Sequence, residues 1–256
     1  MELHVKTLAI VQARMGSTRL PGKVLADICG SPMLRRVLDR VQSIPNIHDL
    51  VVATTTNPED DILVDWLDDL GIQAYRGSCE DVLTRFVEAA SGRQSELIVR
   101  VTADDPLKDP QITSHLIDLF QLDPSLDYAS NTIEPTWPEG LDIEVFRLSA
   151  LHRAHREATL HSDREHVTPY IWSRPNVFNL YSMRWHRNLS HWRLTVDKQP
   201  DLVLMRYIFQ QFQDRPLVCF SEIVDWLERH PELLAINSGT ERQEGYLTSL
   251  RAERQL

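Results

Sequence analysis

Residues 13–23 read Ala13-Arg14-Met15-Gly16-Ser17-Thr18-Arg19-Leu20-Pro21-Gly22-Lys23 and follow the apolar, strand-like run Leu8-Ala9-Ile10-Val11. The stretch contains three cations, two hydroxyl side chains and two of the nine glycines of the chain. At the carboxyl end of a strand, glycines let backbone amides approach a ligand and cations neutralise its charge, which is typical of a polyphosphate-binding loop. It is not a Walker loop, because five residues separate Gly16 from Gly22 and Val24 stands where Ser or Thr would hold magnesium. The stretch therefore predicts a nucleotide-binding α/β fold.

Strand-like and helix-like segments alternate over the first 130 residues, which predicts crossover units on a largely parallel sheet. Apolar runs typical of strands covered on both faces occur at 8–11, 50–53 and 97–101. Helices are predicted to begin at Ser31-Pro32, Asn57-Pro58 and Asp109-Pro110, where a capping side chain precedes a proline. Gly71 is predicted to end the second of these helices.

The second half of the chain is less regular. Strands are predicted over 141–146 and 177–183, and Ser162-x-x-Glu165 resembles a capping box that opens a helix through Trp172. Pro200 is predicted to open a helix, and another helix lies near residue 226. Because no linker rich in glycine, serine or proline separates the halves, we predict one domain over residues 1–256. Its tail, 238–256, is polar and expected to be loosely held unless Tyr246 and Leu250 dock.

Composition excludes several classes of protein. The chain has 256 residues, of which 27 are basic and 37 acidic, and this acidic balance disfavours a nucleic-acid partner. Since the apolar runs are too short for a membrane span or a signal peptide, we expect a cytoplasmic protein. Cys29, Cys79 and Cys219 lie far apart and predict reduced core residues, without a disulfide or a zinc site. The four histidines between residues 152 and 166 lack the spacing of a helical zinc site and indicate a solvated helical segment.

The 13–23 stretch resembles the signature loop of the sugar-acid cytidylyltransferases, the CMP-KDO and CMP-sialate synthetases. The whole chain resembles one branch of them, the spore-coat polysaccharide biosynthesis cytidylyltransferases. Further matching segments follow in order at 81–85, 100–107, 140–146, 164–170, 193–197 and 244–246. Ala103 departs from the pattern, because this branch commonly has glycine before the metal-binding aspartate.

The resemblance implies a GT-A-like, Rossmann-related nucleotidyltransferase domain with a mixed, mostly parallel sheet, usually dimeric. It implies a nucleotide-binding half at 1–130 and an acceptor and dimer half at 131–237. The implied reaction is attack of an acceptor oxyanion or hydroxyl on the α-phosphate of CTP, with release of pyrophosphate, in polysaccharide or glycoconjugate synthesis. The implied partners are CTP, a small anionic acceptor and a second copy of the chain. Such a transfer depends on positioning and charge neutralisation.

Candidate residues for these roles can be assigned along the chain. Arg14 and Lys23 are the catalytic candidates, and both are expected to be solvated loop residues whose removal changes stability by less than about 0.5 kcal/mol. The expected nucleotide-binding residues are Ala13, Arg14, Gly16, Ser17, Arg19, Lys23, Thr54, Gly77 and Arg85. The candidates for the acceptor pocket are Asp142, Glu144, Glu165 and His166.

Two carboxylates are the candidates for a Mg²⁺ site, the cofactor that the resemblance implies. Asp104 follows the strand at 97–101 and should stand at its carboxyl end beside the first loop. Asp197 ends the strand-like segment 193–196 and matches the second metal carboxylate of the family. If both hold one Mg²⁺, the carboxylates must lie within roughly 6 Å of each other. Asp105 is interpreted as a turn or capping residue.

Two other functions remain open at this point. A GT-A glycosyltransferase would hold its metal with an Asp-x-Asp motif, which Asp104-Asp105-Pro106 does not match, and a nucleotidyltransferase using another nucleoside triphosphate keeps the same fold. A non-catalytic nucleotide-binding protein would be expected to lack a metal-binding acid or a loop cation, and this chain has both. For a homodimer, the expected contacts are the second-half strands and exposed aromatics, among them Phe178, Trp185 and Trp192.

Overall fold

The structure is a computed structural model that describes residues 5–215 and 217–254. Within these ranges one seven-stranded sheet has the order β3-β2-β1-β4-β6-β5-β7. Its strands are β1 Thr7–Gln12, β2 Asp49–Thr55, β3 Ala74–Gly77, β4 Leu97–Thr102, β5 Tyr128–Ser130, β6 Glu144–Arg147 and β7 Leu180–Ser182. β1 to β4 pair in parallel, β6 runs antiparallel to β4 and β5, and β7 pairs in parallel with β5. The predicted fold class, α/β with a mixed, mostly parallel sheet, is confirmed.

Helices cover both faces of this sheet. They are α1 Met33–Gln42, α2 Asp61–Asp69, α3 Val82–Ala90, α4 Pro110–Leu122, α5 Leu148–Glu157, α6 His161–His166, α7 Pro169–Trp172, α8 Gln199–Gln211, α9 Phe220–Glu228, α10 Pro231–Leu234 and α11 Glu244–Glu253. Side chains alternate between the faces, so that Ala9 and Val11 pack with α1, α4, α8 and α9, whereas Leu8 and Ile10 pack with α3 and α5. This double burial explains why the parallel strands are nearly continuous apolar runs. Among the described residues, no helix has the length and apolar character needed to cross a bilayer.

The predicted helix starts differ in how they are capped. Asp109 caps α4 as predicted, because its Oδ1 accepts hydrogen bonds from Gln111 N at 2.9 Å and Ile112 N at 3.1 Å. Ser31 does not cap α1: Pro32 occupies the N-cap position, and the Ser31 carbonyl closes a turn with the N–H of Ile28 at 2.8 Å.

The second helix also begins differently from the prediction. Asn57 precedes a short 3-10 helix, Pro58–Asp60, without a side-chain cap, and α2 follows directly. Its predicted end is confirmed, since Gly71 has a left-handed φ of 66°.

The helix predicted from Ser162 through Trp172 is interrupted at Val167, whose φ of 72° separates α6 from α7. Ser162 forms no capping box, because its N–H and hydroxyl both donate to the carboxylate of Glu253. A strand was predicted over 141–146, but β6 begins only at Glu144. The side-chain amide of Asn131 instead forms hydrogen bonds with the backbone of Leu141 and Ile143, at 2.8 Å each. A strand was also predicted over 177–183, but β7 covers only Leu180–Ser182, which pair with three residues of β5.

The tail is not loosely held over its described residues. Helix α11 packs against α6, and the Tyr246 ring meets His166 and Trp172 edge-on at centroid distances of 5.2 Å and 5.7 Å. The aromatics expected at a dimer surface are also internal. Phe178 and Trp192 are 3% and 9% exposed, and Trp185 stacks on Trp137 at 5.0 Å.

The three cysteines are free thiols, as expected, but none lies in the core. Cys29 is exposed, and Cys79 and Cys219 are half-buried.

Candidate active site

The loop that follows β1, residues 13–23, is called the β1 loop below. The N–H of Ala13 still donates to Ala53 O at 3.2 Å, which continues the sheet into the loop. The loop then folds back, because the carbonyl of Met15 accepts hydrogen bonds from Ser17 N at 2.8 Å and Gly22 N at 3.0 Å. Gly22 has a φ of 69°, a conformation that favours glycine. The turn chemistry of the sequence thus fixes the shape of the loop.

A buried carboxylate anchors the loop to β2. Asp60 accepts hydrogen bonds from Met15 N at 2.6 Å and Thr55 N at 3.2 Å, and its side chain is fully buried. Gly16 packs beside the same turn, where an added Cβ would lie 2.2 Å from a carboxyl oxygen of Glu59. Gly16 therefore allows close packing of the loop, and it is not among the residues that line the cavity above it.

A first cavity of about 360 Å³ opens over the β1 loop at the carboxyl ends of β1 and β4. Six of the nine predicted nucleotide-binding residues line it together: Ala13, Arg14, Ser17, Arg19, Lys23 and Arg85. Two others do not reach it. Thr54 is completely buried within β2, which is paired on both sides, and Gly77 packs against Arg85, with an added Cβ 2.9 Å from its Cγ. The structure therefore does not place Thr54 and Gly77 with the other expected nucleotide-binding residues.

Two arginines of the first cavity form no ion pair with a carboxylate of the described residues. The exposed Arg14 donates to Cys79 Sγ at 3.3 Å. Arg85 is 1% exposed, donates from Nη1 to the carbonyl of Ser78, and has an unpartnered Nε. Burial and the nearby Arg14 lower the pKa of Arg85 to about 10. Two guanidinium groups without counter-ions make this cavity suited to an anionic ligand.

Lys23 joins the two carboxylates that were predicted to bind metal. Its Nζ lies 2.8 Å from Asp104 Oδ2, 2.8 Å from Asp197 Oδ1 and 2.8 Å from the carbonyl oxygen of Val196. Burial alone would lower the pKa of Lys23, but the two carboxylates raise it above its usual value. Lys23 is 8% exposed, so the expectation that it is a solvated loop residue is wrong.

The two aspartates reach one crevice from different parts of the chain. Asp104 follows β4, and its carbonyl accepts the N–H of Val196 at 2.9 Å, which ties the segment before Asp197 to the end of β4. Because one ammonium contacts both carboxylates at 2.8 Å, they lie within the roughly 6 Å that a shared ion requires.

A buried ion-pair network orients Asp197. Arg19 lies 2.6 Å from Asp197 Oδ1, and Arg193 lies 2.8 Å from Oδ2. Asp201, in the first turn of α8, accepts the N–H of Asp197 at 2.9 Å and pairs with Arg193 at 3.0 Å. Burial would raise the pKa of Asp197, but Lys23 and Arg19 hold it well below its usual range. Arg193 and Asp201 were not predicted as site residues, although Arg193 lies in a matched segment and Asp201 follows the helix-opening Pro200.

The donor chemistry at this crevice fits Mg²⁺. The ion prefers oxygen ligands, usually one or two carboxylates completed by phosphate oxygens and water. Asp104 and Asp197 supply two such carboxylates, with side chains 26% and 15% exposed, and both line the first cavity. Within residues 5–215 and 217–254 no cluster of three or more metal-ligating side chains occurs, so a bound ion would need ligands from the substrate.

A second cavity of about 220 Å³ adjoins the first and shares Arg19, Arg100, Asp104, His166 and Asp197 with it. Three of the four predicted acceptor residues line it: Asp142, Glu144 and His166. Glu144 accepts hydrogen bonds from Arg100, Tyr128 and Thr168. Burial would raise the pKa of Glu144, but Arg100 and these bonds hold it below its usual value. Glu144 is therefore an anionic anchor in the floor of the cavity.

Glu165, the fourth acceptor candidate, lines the first cavity instead. It accepts the hydroxyl of Ser249 at 2.6 Å and lies 3.5 Å from His166 Nε2. The bond to His166, together with that from Ser249, lowers the pKa of Glu165 to about 2 although burial opposes the shift. Since Ser249 belongs to α11, Glu165 and His166 hold this helix at the junction of the two cavities.

Sequence reasoning missed several residues that line the site. Arg100 spans both cavities from the inside of β4, and Glu139 lines the second one. Helix α11 contributes Glu244, Gly245 and Tyr246. The matched segments 100–107 and 244–246 were the available signals, but neither periodicity nor composition distinguishes a cavity-lining side chain from a solvated one.

The β1 loop with its cations faces a pair of carboxylates across the sheet's carboxyl edge, which is the arrangement of a nucleotidyltransferase. The comparisons with known proteins agree. Residues 8–234 match the family model described as cytidylyltransferase, and the chain belongs to that family.

One relative and two solved structures describe the similarity. The spore coat polysaccharide biosynthesis protein SpsF of Bacillus subtilis is 33% identical over 243 residues, covering 92% of this chain and 98% of that protein. A solved cytidylyltransferase from Leptospira borgpetersenii is 29% identical, with a TM-score of 0.87 over 93% of this chain and 100% of that one. A CMP:2-keto-3-deoxy-manno-octonic acid synthetase complexed with CTP is 19% identical, with a TM-score of 0.64 over 80% of this chain and 99% of that one, and shows the same fold.

Proposed function

We propose that this protein is a Mg²⁺-dependent cytidylyltransferase that transfers CMP from CTP to a small acceptor with an anionic oxygen, releasing pyrophosphate. Its product would serve the synthesis of a polysaccharide or related glycoconjugate in the cytoplasm. The observation that carries the proposal is the position of Lys23, which bridges Asp104 and Asp197 in the wall of the cavity that Arg14 and Arg85 also line. The similarity to SpsF supports the biosynthetic role, and the free thiols support a reducing compartment.

The cations of the first cavity would reduce the electrostatic repulsion between the two reactants. A triphosphate and an anionic acceptor repel each other, and one pair of unit charges about 5 Å apart at an effective dielectric constant of about 20 costs about 3 kcal/mol. Arg14 and Arg85 have no competing carboxylate among the described residues, so their charge is available to phosphate oxygens. Arg19 lines both cavities and can contact both reactants.

In the proposed reaction, an acceptor oxygen attacks the α-phosphorus and forms a new P–O bond. The bond from this phosphorus to the oxygen bridging the α- and β-phosphates breaks, and its electron pair leaves with pyrophosphate. Asp104 and Asp197 would hold Mg²⁺, which neutralises charge on the phosphate oxygens. Lys23 contacts the same carboxylate oxygens, so with the ion bound its ammonium would be available to the triphosphate instead.

The choice of CTP is tested by equilibrium binding. Isothermal titration with CTP, UTP and ATP, each with 5–10 equivalents of Mg²⁺ (about 5 mM), measures the selectivity directly. We expect CTP to bind at least about tenfold more tightly than UTP, and to lose affinity when Mg²⁺ is removed. Equal affinities for CTP and UTP would favour a nucleotidyltransferase of other specificity.

A homodimer is proposed on the family resemblance alone. The aromatic residues that were expected at its interface are packed inside the protomer.

A further inference from the structure

The two adjoining cavities differ in charge. The charged residues that line only the first cavity are Arg14, Lys23, Arg85 and Glu165, an excess of cations. The charged residues that line only the second are all carboxylates, namely Asp105, Glu139, Asp142, Glu144 and Glu244. No lysine or arginine of the described ranges belongs to the second cavity alone. The nucleotide side is thus electropositive and the acceptor side is acidic.

Glu144 pairs with Arg100 and Glu244 with Arg19, and both of these arginines line the cavity. Glu139 and Asp142 pair with arginines that do not line it. Arg193 lies 2.6 Å from Glu139 and is 6% exposed, and Arg242 lies 2.7 Å from Asp142. Neither of these arginines lines the cavity. Burial raises the pKa of Asp142 even though Arg242 opposes the shift, and the neighbouring Glu139 adds to it. Seven carboxylates and two arginines line the second cavity, so its wall carries an excess of acidic groups.

Asp105 has an oxygen free to accept a hydrogen bond from a ligand. It is 5% exposed and lines the second cavity. Its Oδ2 accepts the hydroxyl of Thr102 at 2.8 Å and lies 3.5 Å from Lys108 Nζ, whereas its Oδ1 accepts no hydrogen bond from the described residues. Asp105 closes the turn after β4, as interpreted from the sequence, because its N–H donates to the carbonyl of Thr102 at 3.3 Å. Its Oδ1 is in addition open to a hydrogen-bond donor in the cavity.

Aromatic side chains form another part of the same wall. Trp172 and Tyr246 both line the cavity, with ring centroids 5.7 Å apart and planes inclined at 73°. Both residues are half-buried, so part of each ring faces the cavity. Carboxylates combined with inclined aromatic faces are the surroundings in which proteins bind ammonium groups, through charge pairing and cation–π attraction.

We propose that the second cavity binds an ammonium group, so that the acceptor is a zwitterion with a phosphate or carboxylate at one end and a primary or quaternary amine at the other. The anionic end lies at the shared rim, where Arg19 and Arg100 line both cavities. The ammonium end lies among Asp105, Asp142 and the aromatic pair. This inference rests on the proposed function, because it specifies the acceptor of that same transfer.

The assignment agrees with the chemistry of the transfer. The anionic end supplies the oxygen that attacks the α-phosphorus and displaces pyrophosphate, and the ammonium end is not altered. A positive group on the acceptor offsets its repulsion from the triphosphate. A purely anionic acceptor would be repelled by the triphosphate on one side and by the carboxylates of the second cavity on the other. An uncharged polyol could accept or donate hydrogen bonds here, but it would leave the carboxylate charge uncompensated.

The test uses matched pairs of probes that differ in the ammonium group. The pairs are phosphocholine with 3,3-dimethylbutyl phosphate, O-phosphoethanolamine with 2-hydroxyethyl phosphate, and glucosamine 6-phosphate with glucose 6-phosphate. Dissociation constants are measured by titration calorimetry on the full chain with Mg²⁺ and a CTP analogue carrying a methylene bridge between the α- and β-phosphates. We expect at least one ammonium-bearing probe to bind ten or more times more tightly than its partner, a difference of about 1.4 kcal/mol.

Variants show whether that preference comes from this cavity. Asp142→Asn should reduce the preference to less than threefold, and Trp172→Leu should do so if the first variant does not fold. Glu241→Gln is the matched control, because Glu241 pairs with Arg251 on the surface and does not line the cavity. The control should keep the full preference.

The results distinguish this inference from the function on which it rests. Failure of the protein to bind the CTP analogue contradicts the proposed function. Binding of the analogue, combined with equal affinities within all three pairs or with no binding of any probe, contradicts the ammonium site and leaves the cytidylyltransferase proposal intact. A preference that persists in both cavity variants also contradicts the site.

Discussion

At the scale of single residues, the site contains a lysine that bridges two carboxylates. Lys23 is buried, and its ammonium contacts Asp104 and Asp197. Arg14, from the same loop, is exposed, and within the described residues its hydrogen bond goes to a half-buried sulfur. The two cations therefore differ in their structural role although both are expected to contact the triphosphate.

This difference predicts contrasting effects of removing each cation. Arg14→Ala should weaken CTP binding by about tenfold while changing the free energy of unfolding by less than about 0.5 kcal/mol, as for exposed loop residues. Lys23→Ala should weaken CTP binding and also lower the free energy of unfolding by about 2–4 kcal/mol, because it leaves two partly buried carboxylates without their shared cation. Urea denaturation and calorimetric titration measure both quantities. Equal stability losses in the two variants would show that Lys23 is not the structural cation described here.

At the scale of elements, the loop before β6 approaches the segment before α8 unusually closely. Gly140 has a φ of 102°, and an added Cβ would lie 2.3 Å from the carbonyl carbon of Leu194 and 2.5 Å from Thr195 N. The flanking Glu139 and Asp142 line the second cavity. Only glycine allows this backbone contact. Gly140 therefore helps to set the position of the loop that contains Glu139 and Asp142.

A pair of glycine substitutions tests that contact. Gly140→Ala should lower the free energy of unfolding by about 3 kcal/mol or more, because it combines a left-handed backbone with a clash against backbone atoms. Gly92→Ala is the control: its φ is 73° and no atom lies within 4 Å of an added Cβ, so only the conformational cost of about 1 kcal/mol remains. Thermal unfolding of both variants gives the comparison. Similar losses for the two would mean that the close approach at Gly140 does not contribute.

The docking of α11 is expected to depend on pH. The bond to His166, followed by that from Ser249 of α11, holds the folded-state pKa of Glu165 at about 2, below the ordinary value of 4.5. A carboxyl with a lowered pKa contributes stability above its unfolded value, and this contribution is lost as the pH falls from about 4.5 toward 2. Hydrogen exchange of the α11 amides should therefore accelerate over this range, relative to the amides of α1.

Glu165→Gln provides the control for that measurement. The variant should show faster exchange in α11 at neutral pH and a flatter dependence on acid, because the titrating group is gone. An unchanged acid profile in the variant would assign the effect to another group, such as Asp163, whose pKa burial raises.

At the scale of the whole molecule, the features that the sequence could predict are those with local signals. Apolar runs located β1, β2 and β4, and Asp109-Pro110 located α4, because a doubly covered strand or a proline at a helix start needs no distant partner. The carboxyl-edge rule then brought Asp104 next to the β1 loop.

The remaining features depend on tertiary contacts that no local pattern encodes. Thr54 lies near the end of β2, and Arg85 lies in the helix that follows β3. Local sequence does not show that Thr54 is fully buried whereas Arg85 lines the cavity, because packing decides both outcomes. The tail looks polar in sequence, but Tyr246 meets His166 and Trp172 once α6 and α7 are in place. Contacts with residues distant in sequence thus place part of the polar tail in the wall of the second cavity.

We expect Asp104 and Asp197 to hold one divalent ion against the α-phosphate of CTP, with Lys23 released from both carboxylates. A crystal structure of the full chain with CTP and Mn²⁺, with anomalous data to locate the metal, tests this expectation most directly. One Mn²⁺ should lie about 2.1–2.3 Å from an oxygen of each aspartate and from an α-phosphate oxygen, with Lys23 Nζ on the triphosphate. Mn²⁺ bound elsewhere, with Lys23 still bridging the two carboxylates beside bound CTP, would contradict it.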